Sequence, residues 1–127
     1  MKQLSKHLTS AEIACKCGCG LANLSVHTIQ VFQVTREYCG FPLFITSGCR
    51  CKKHNRAVGG VVDSAHTPDE LGFCQALDIR FSSPQQLYKI VAGLIKAGCT
   101  RIGINFAKGF VHFDTDPTKP QNIIFKY

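Results

Sequence analysis

The sequence has no tryptophan and a single methionine, and no apolar run in it approaches the length of a membrane span. Its first twenty residues, MKQLSKHLTSAEIACKCGCG, carry basic residues but no continuous apolar segment. No secretory signal is therefore expected, and synthesis in the cytoplasm is. Acidic residues are scarce: eight Asp and Glu face fifteen Lys and Arg, a formal charge of +7. That excess favours an anionic partner, with nucleic acid and the anionic bacterial cell wall as the candidates. Nucleic acid is the weaker of the two and is not expected. The basic residues are scattered, Lys52–Lys53 is their one adjacent pair, and nothing interleaves bases with aromatics as stacking on nucleobases requires. With 127 residues, 45% hydrophobic and 18% charged, the chain suits one domain over 1–127 with one modest core, and a monomer without a membrane partner.

Cysteine is not scarce. Cys15, Cys17, Cys19, Cys39, Cys49, Cys51, Cys74 and Cys99 are many for this length. In a cytosolic product reduced thiols or metal thiolates are favoured over disulfides. The C-x-C-x-C of residues 15–19 and the C-x-C of 49–51 can together supply a four-thiolate, structural zinc site. The usual spacing for such a site is C-x2-C or longer, so disulfides and free buried thiols stay open as alternatives.

The local patterns describe an α+β domain: a small, largely antiparallel sheet with helices packed on one face and an open zinc cleft on the other. Thr9 with Glu12 has the form of a capping box for a short helix near Ser10, which ends in the Gly-rich KCGCG loop. Ser25 caps a helix over roughly 26–38 with Ile29, Phe32 and Tyr38 near one face, stopped by Gly40 and Pro42. PLFITSG and ALDIRF read as strands, with one helical turn between them before Gly59–Gly60. In SSPQQLYKIVAGLIKAGC, Ser83 caps, Pro84 takes the first helical position, Gln86 completes a capping box and Gly98 closes the end. Leu87, Ile90, Val91 and Leu94 form a stripe that packs on a sheet. RIGINF and GFVHFDT are two further strands joined by a turn through Ala107, Lys108 and Gly109.

Strand alternation then sorts the polar residues. Phe110, His112, Asp114 and Asp116 share one face, opposite Val111 and Phe113, while Asp78 and Arg80 oppose Leu77, Ile79 and Phe81. The apolar set must face the helices. His112 and Asp78 are left on the other face, and His66 arrives there from the loop that enters the Asp78 strand. Two imidazoles and a carboxylate with a vacant position suit a catalytic zinc rather than magnesium. The competing account is a surface loop and an unrelated strand histidine.

The words SGCR (47–50), HNRAVGG (54–60), SAH (64–66), ALDI (76–79) and FVHFD (110–114) occur in the order of one family. The chain resembles the zinc D-alanyl-D-alanine carboxypeptidases and phage peptidoglycan endopeptidases, relatives of the D-Ala-D-Ala dipeptidases and of the hedgehog fold, from about Leu8 to Asp116. The resemblance implies zinc bound by His66, Asp78 and His112. It gives Arg50 the substrate carboxylate or the developing oxyanion, and Ser64 a supporting hydrogen bond near the substrate site. It also implies hydrolysis of peptidoglycan stem peptides at the bacterial cell wall by a lysis enzyme encoded by a phage or virus. Two departures stand out. The step from His66 to Asp78 is twelve residues where the family usually takes seven, so residues 68–72 should bulge at the rim of the cleft. Gly109 stands where several relatives carry the acid that acts as general base. Asp114 is the leading replacement, with His54, Asp116, Asp69 and Glu70 behind it, and its competing role is to hold His112 or an arginine. The same missing acid sustains a second reading, a catalytically silent zinc-binding module of the same fold that recognises wall peptide or protein.

Overall fold

The computed structural model describes residues 1–127. A two-stranded sheet, β1 (Gln3–Ser5) and β2 (Leu8–Thr9), leads into α1 (Ser10–Ile13), and the capping box of Thr9 and Glu12 is formed. Next come α2 (Val26–Cys39), β3 (Ile45–Ser47), α3 (Lys52–Ala57), β4 (Ala76–Arg80) and α4 (Pro84–Lys96). The chain ends in β5 (Arg101–Asn105), β6 (Phe110–Asp114) and β7 (Ile123–Lys126). The five-stranded sheet has the order β3-β4-β6-β5-β7, antiparallel except where β7 runs parallel to β5. The expected α+β class with a largely antiparallel sheet is observed. The β1–β2 hairpin and β7 are additions that sequence patterning did not reveal.

Register explains why the core lies where it does. Leu77 pairs with Phe113 and Ile79 with Val111, and across β6 the same residues pair with Ile102 and Ile104. One face of three adjacent strands is thus a continuous apolar surface. The helices α2 and α4 cover it with Val31, Phe32, Ile90 and Leu94, all buried. Asp78, His112 and Gly103 form the matching row on the other face, and Ala76, Asp114 and Arg101 line up one row along.

Several local expectations need correction. Tyr38 is not a core residue of α2; it is 37% exposed, with the Lys89 ammonium 4.6 Å over its ring. Thr28, Val31, Phe32, Thr35 and Cys39 form the buried face instead. Ser83 does cap α4, but Gln86 accepts from the N–H and hydroxyl of Ser82, not from the N-cap itself. The face opposite α2 and α4 is not bare either: the His66 loop reaches Asp78 on it, and the Phe125 and Tyr127 side chains from the edge of the sheet cross it at Gly103. Only α2 and α4 obey the one-sided layering.

If the Leu77/Phe113 face is the core, Phe113→Ala should cost roughly 3–5 kcal/mol, the usual range for removing a buried phenylalanine. Urea denaturation of the metal-free protein measures it, and a loss below about 1 kcal/mol would place the core elsewhere.

Candidate functional site

Asp78 and His112 are directly opposite one another in the β4–β6 ladder, so the ladder itself fixes their separation. His66 comes from a loop that backbone bonds clamp on both sides: Arg50 N–H donates to the His66 carbonyl at 2.9 Å, and Gln75 N–H to that of Ala65 at 2.9 Å. Ser64 shapes the turn, its Oγ accepting from His66 N–H at 3.2 Å and its carbonyl accepting from Thr67 Oγ1 at 2.6 Å. The three side chains converge. His66 Nε2 lies 3.1 Å from Asp78 Oδ1, His112 Nδ1 lies 2.9 Å from the same oxygen, and the two nitrogens are 3.2 Å apart. All three residues are buried.

The outer bonds decide the protonation of the rings. His66 Nδ1 is 2.7 Å from the Gly48 carbonyl, an acceptor, so this nitrogen carries the proton and Nε2 offers a lone pair. His112 Nε2 is 2.7 Å from Asp114 Oδ2 and donates to it, leaving Nδ1 as a lone pair. Two lone-pair nitrogens and a carboxylate oxygen thus point at one another with no proton assigned between them. Such a set is suited to a cation, and its composition of two imidazoles and one carboxylate suits zinc. Burial dominates at His66 and lowers its pKa against the pull of Asp78. At His112 burial also opposes charge, but Asp114 and Asp78 outweigh it and raise the pKa. Asp78 is resisted by burial yet brought to about 2 by the two imidazoles.

Gly48 and Gly103 make this geometry possible. A Cβ on Gly48 would sit 2.6 Å from the Ile13 carbonyl oxygen, so only glycine lets this backbone pass and present its own carbonyl to His66. Gly103 lies beside His112 in the ladder, and a Cβ there would come within 2.9 Å of Phe125 and 3.0 Å of Tyr127. The space it leaves is filled by the Tyr127 ring, stacked on His112 with centroids 4.2 Å apart and planes 12° apart.

A cavity of about 820 Å³ lies over this face. Arg50, Ser64, His112 and Asp114 line it, with His54, Phe125 and Tyr127 completing its wall. Asp114 is not free in it. Oδ2 accepts from His112 Nε2, Oδ1 accepts from Arg101 Nε at 2.8 Å and from Asp116 N–H at 3.2 Å, and the residue is 2% exposed. Burial raises its pKa, but His112 and Arg101 outweigh that and hold it low. The other fallback acids are elsewhere. Asp69, Glu70 and Asp116 line a neighbouring groove that meets the cleft at Ser64, Ala65 and Lys119, and the 68–72 loop forms a wall of that groove instead of the rim of the cleft. Asp69 Oδ1 is taken up by the N–H groups of Leu71 and Phe73, and Asp116 is tied to Thr118 and Lys119. His54 alone of the fallback bases faces the cleft.

Arg50 is buried against the cleft with its Nη1 donating to Asn55 Oδ1 at 2.8 Å, while Nε has no partner at all. Asn55 in turn donates to the Val61 carbonyl at 2.8 Å. A Cβ on Gly60 would lie 2.0 Å from Asn55 Oδ1 and 2.7 Å from Arg50 Nη1. The HNRAVGG segment is therefore a brace for Arg50. Asn55, Arg101, Phe125 and Tyr127 were not singled out as site residues from sequence. Asn55 and Gly60 lay inside a quoted motif, but pattern alone did not say what they hold. The two aromatics had no signal, because nothing marked β7 as part of the sheet.

A family model described as Peptidase M15 matches residues 6–114. A search of curated proteins finds no match.

Two expectations follow from the geometry. Asp114→Asn keeps one acceptor for His112 but weakens the pairing with Arg101. Zinc affinity should fall roughly 10–100-fold, read by competition with a chromophoric chelator, and unchanged affinity would remove Asp114 from the support of His112. Zinc must also displace the proton that His112 Nδ1 carries below its raised pKa, so affinity should weaken as pH falls. Competition with a chromophoric chelator should find the affinity falling as pH drops through and below the ordinary imidazole range, and an affinity independent of pH there would contradict the assignment.

Proposed function

The chain belongs to the peptidase M15 family, whose members are zinc-dependent peptidases, and from that premise we propose that it hydrolyses peptidoglycan stem peptides, as a D-alanyl-D-alanine carboxypeptidase or a phage-type endopeptidase acting on the bacterial cell wall. One observation supports this substrate class above others: the charge of the cleft. Lys16, Arg50, Arg101, Lys108, Lys119 and Lys126 line it, and its one carboxylate, Asp114, is already paired. A peptide stem bearing terminal and side-chain carboxylates is the complementary ligand.

His66, Asp78 and His112 are the residues that would hold the zinc, with the proton of each imidazole directed outward to Gly48 and Asp114. Bound there, zinc supplies Lewis acidity toward the scissile carbonyl and makes a water acidic enough to act as nucleophile near neutral pH. Arg50 receives the anionic end of the substrate or the charge that develops on the carbonyl oxygen. Asn55 holds the guanidinium through Nη1 and so fixes the direction of the donors that remain for that purpose. Asp114 orients His112 instead of taking a proton, since both of its oxygens are engaged. The proton acceptor that fits the cleft best is His54 on α3. Phe125 and Tyr127 form an apolar wall that keeps water from the His112 side.

The silent zinc-binding module has one observation in its favour: position 109 cannot simply regain an acid. Gly109 has φ +72°, and a Cβ on it would lie 3.3 Å from the Phe81 carbonyl oxygen. Incubating purified murein with the protein, with and without chelator, separates the two readings. Chelator-sensitive new amino and carboxyl ends, identified by mass spectrometry, mark the peptidase and name the bond. Zinc-loaded protein that binds murein but releases nothing marks the module.

Arg50→Lys should retain zinc and fold yet lose about 3 kcal/mol of transition-state stabilisation, because an ammonium offers no planar fork. His54→Gln should keep zinc content and lower turnover by roughly two to four powers of ten while flattening the acidic limb of the pH–rate profile. Full turnover in the His54 variant would exclude it as proton acceptor.

A further inference from the structure

Of the eight cysteines, five are buried, and four of these, Cys39, Cys49, Cys74 and Cys99, belong to the hydrophobic core cluster while Cys15 does not. The other four do not join the core. Cys15, Cys17, Cys19 and Cys51 bring their sulfurs together, all within 4.8 Å of one another, at the edge of the molecule where Cys17 and Cys19 are exposed. Cys15 Sγ lies 3.4 Å from Cys17 Sγ, and Cys17 Sγ lies 3.7 Å from Cys51 Sγ. Four sulfurs bound tetrahedrally at ~2.3 Å from one zinc are ~3.8 Å apart, whereas a disulfide needs ~2.05 Å. The spacing is that of ligands around an ion.

We propose that Cys15, Cys17, Cys19 and Cys51 form a second, four-thiolate zinc site, separate from the His66–Asp78–His112 centre, that pins the 14–20 loop to the start of α3 and so holds the Arg50 arm of the cleft.

Three features support the assignment. Backbone donors already point at the sulfurs: Cys51 N–H at Cys15 Sγ, 3.4 Å, and His54 N–H at Cys51 Sγ, 3.3 Å, as thiolates require. The loop turns its three cysteines toward Cys51, with Gly18 at φ +83° and Gly20 at φ +88°, left-handed conformations that favour glycine between and after the cysteines. The four sulfurs, mutually within 4.8 Å, enclose one position that a single ion can share. All-sulfur tetrahedral coordination selects zinc or iron, and zinc needs no redox partner. The mechanical consequence follows from the backbone. Cys49 N–H donates to the Ile13 carbonyl at 2.8 Å and Arg50 N–H to the His66 carbonyl at 2.9 Å, so residues 49–51 run between α1 and the His66 loop. An ion at Cys51 anchors the free end of that run one residue beyond Arg50.

The test does not depend on the peptidase reading. Protein purified under reducing conditions should carry close to two zinc equivalents, and His66→Ala should keep close to one. A mercurial thiol reagent should release that one equivalent, and cobalt exchanged into the His66→Ala protein should show intense thiolate-to-metal charge-transfer absorption. Cys17→Ser and Cys19→Ser should each lose most of the thiol-bound zinc, while Cys39→Ser should lose none. A His66→Ala protein without bound zinc, bound iron in place of zinc, disulfides found by alkylation and mass spectrometry, or cobalt in the His66→Ala protein without sulfur absorption would each overturn the proposal. The cobalt spectrum of otherwise unaltered cysteines covers the case in which a cysteine variant fails to fold. Protein with a sulfur-bound ion but no action on murein would leave this site intact and defeat only the peptidase reading.

Discussion

Three acceptor atoms held within 3.2 Å of one another, with no proton assigned between them, are the constraint that the rest of the molecule serves. Lone pairs crowded in a buried pocket repel, and desolvation removes the water that would otherwise separate them. A cation bound there would take the place of the proton that Asp114 and Asp78 favour on His112, so metal binding and protonation of this site would compete. The protein meets the cost by rigidity. Two of the three groups sit on paired strands, and the third is clamped by the N–H groups of Arg50 and Gln75 at either end of its loop. Each imidazole is also turned by an acceptor on its far side, the Gly48 carbonyl or Asp114. Freed of those two acceptors, the rings would present protons to Asp78 and close the site with ordinary hydrogen bonds.

The same logic explains the glycines of the quoted motifs. Gly48, Gly60 and Gly103 each stand where another chain segment passes closer than a Cβ allows: Ile13 at Gly48, Asn55 and Arg50 at Gly60, Tyr127 and Phe125 at Gly103. One presents a carbonyl to His66, one admits the brace of Arg50, and one admits the ring that stacks on His112. The site is built by backbone approach as much as by side-chain choice.

How much of this was legible depended on the range over which each signal acts. Alternation along β4 and β6 is local and separated the core set Leu77, Ile79, Val111 and Phe113 from the site set Asp78, His112 and Asp114. Caps at Ser25 and Ser83 are local too, and both are formed. Tyr38, read as near one face of α2 with Ile29 and Phe32, stands at the exposed margin of that face under Lys89 of α4, because helix periodicity does not say how far a partner extends. β7 failed because its residues have meaning only against β5, some twenty positions earlier in the chain. The neighbours of Arg50 were hidden for the same reason: Asn55 and Gly60 are near in sequence, but what they brace depends on a three-dimensional turn.

Asp114 shows what single-sequence geometry can and cannot assign. Its position two residues past His112 on one strand face places it beside that ring, and this is equally what a general base and an orienting partner require. The outcome turns on which ring nitrogen faces which carboxylate. Nδ1 of His112 faces Asp78, so Nε2 faces Asp114, and an acid bonded to the outward nitrogen stands on the far side of the imidazole from the convergent lone pairs. Arg101, paired with Asp114 across β5 and β6, then completes the neutralisation of the carboxylate and itself lies against Phe125. An acid with a cation on one oxygen and an imidazole on the other has little basicity to spare, since both partners favour its charged form. Two rows of one ladder thus divide the labour: the row of Asp78 and His112 offers the atoms that could hold a metal ion, and the row of Asp114 and Arg101 holds the imidazole in its tautomer.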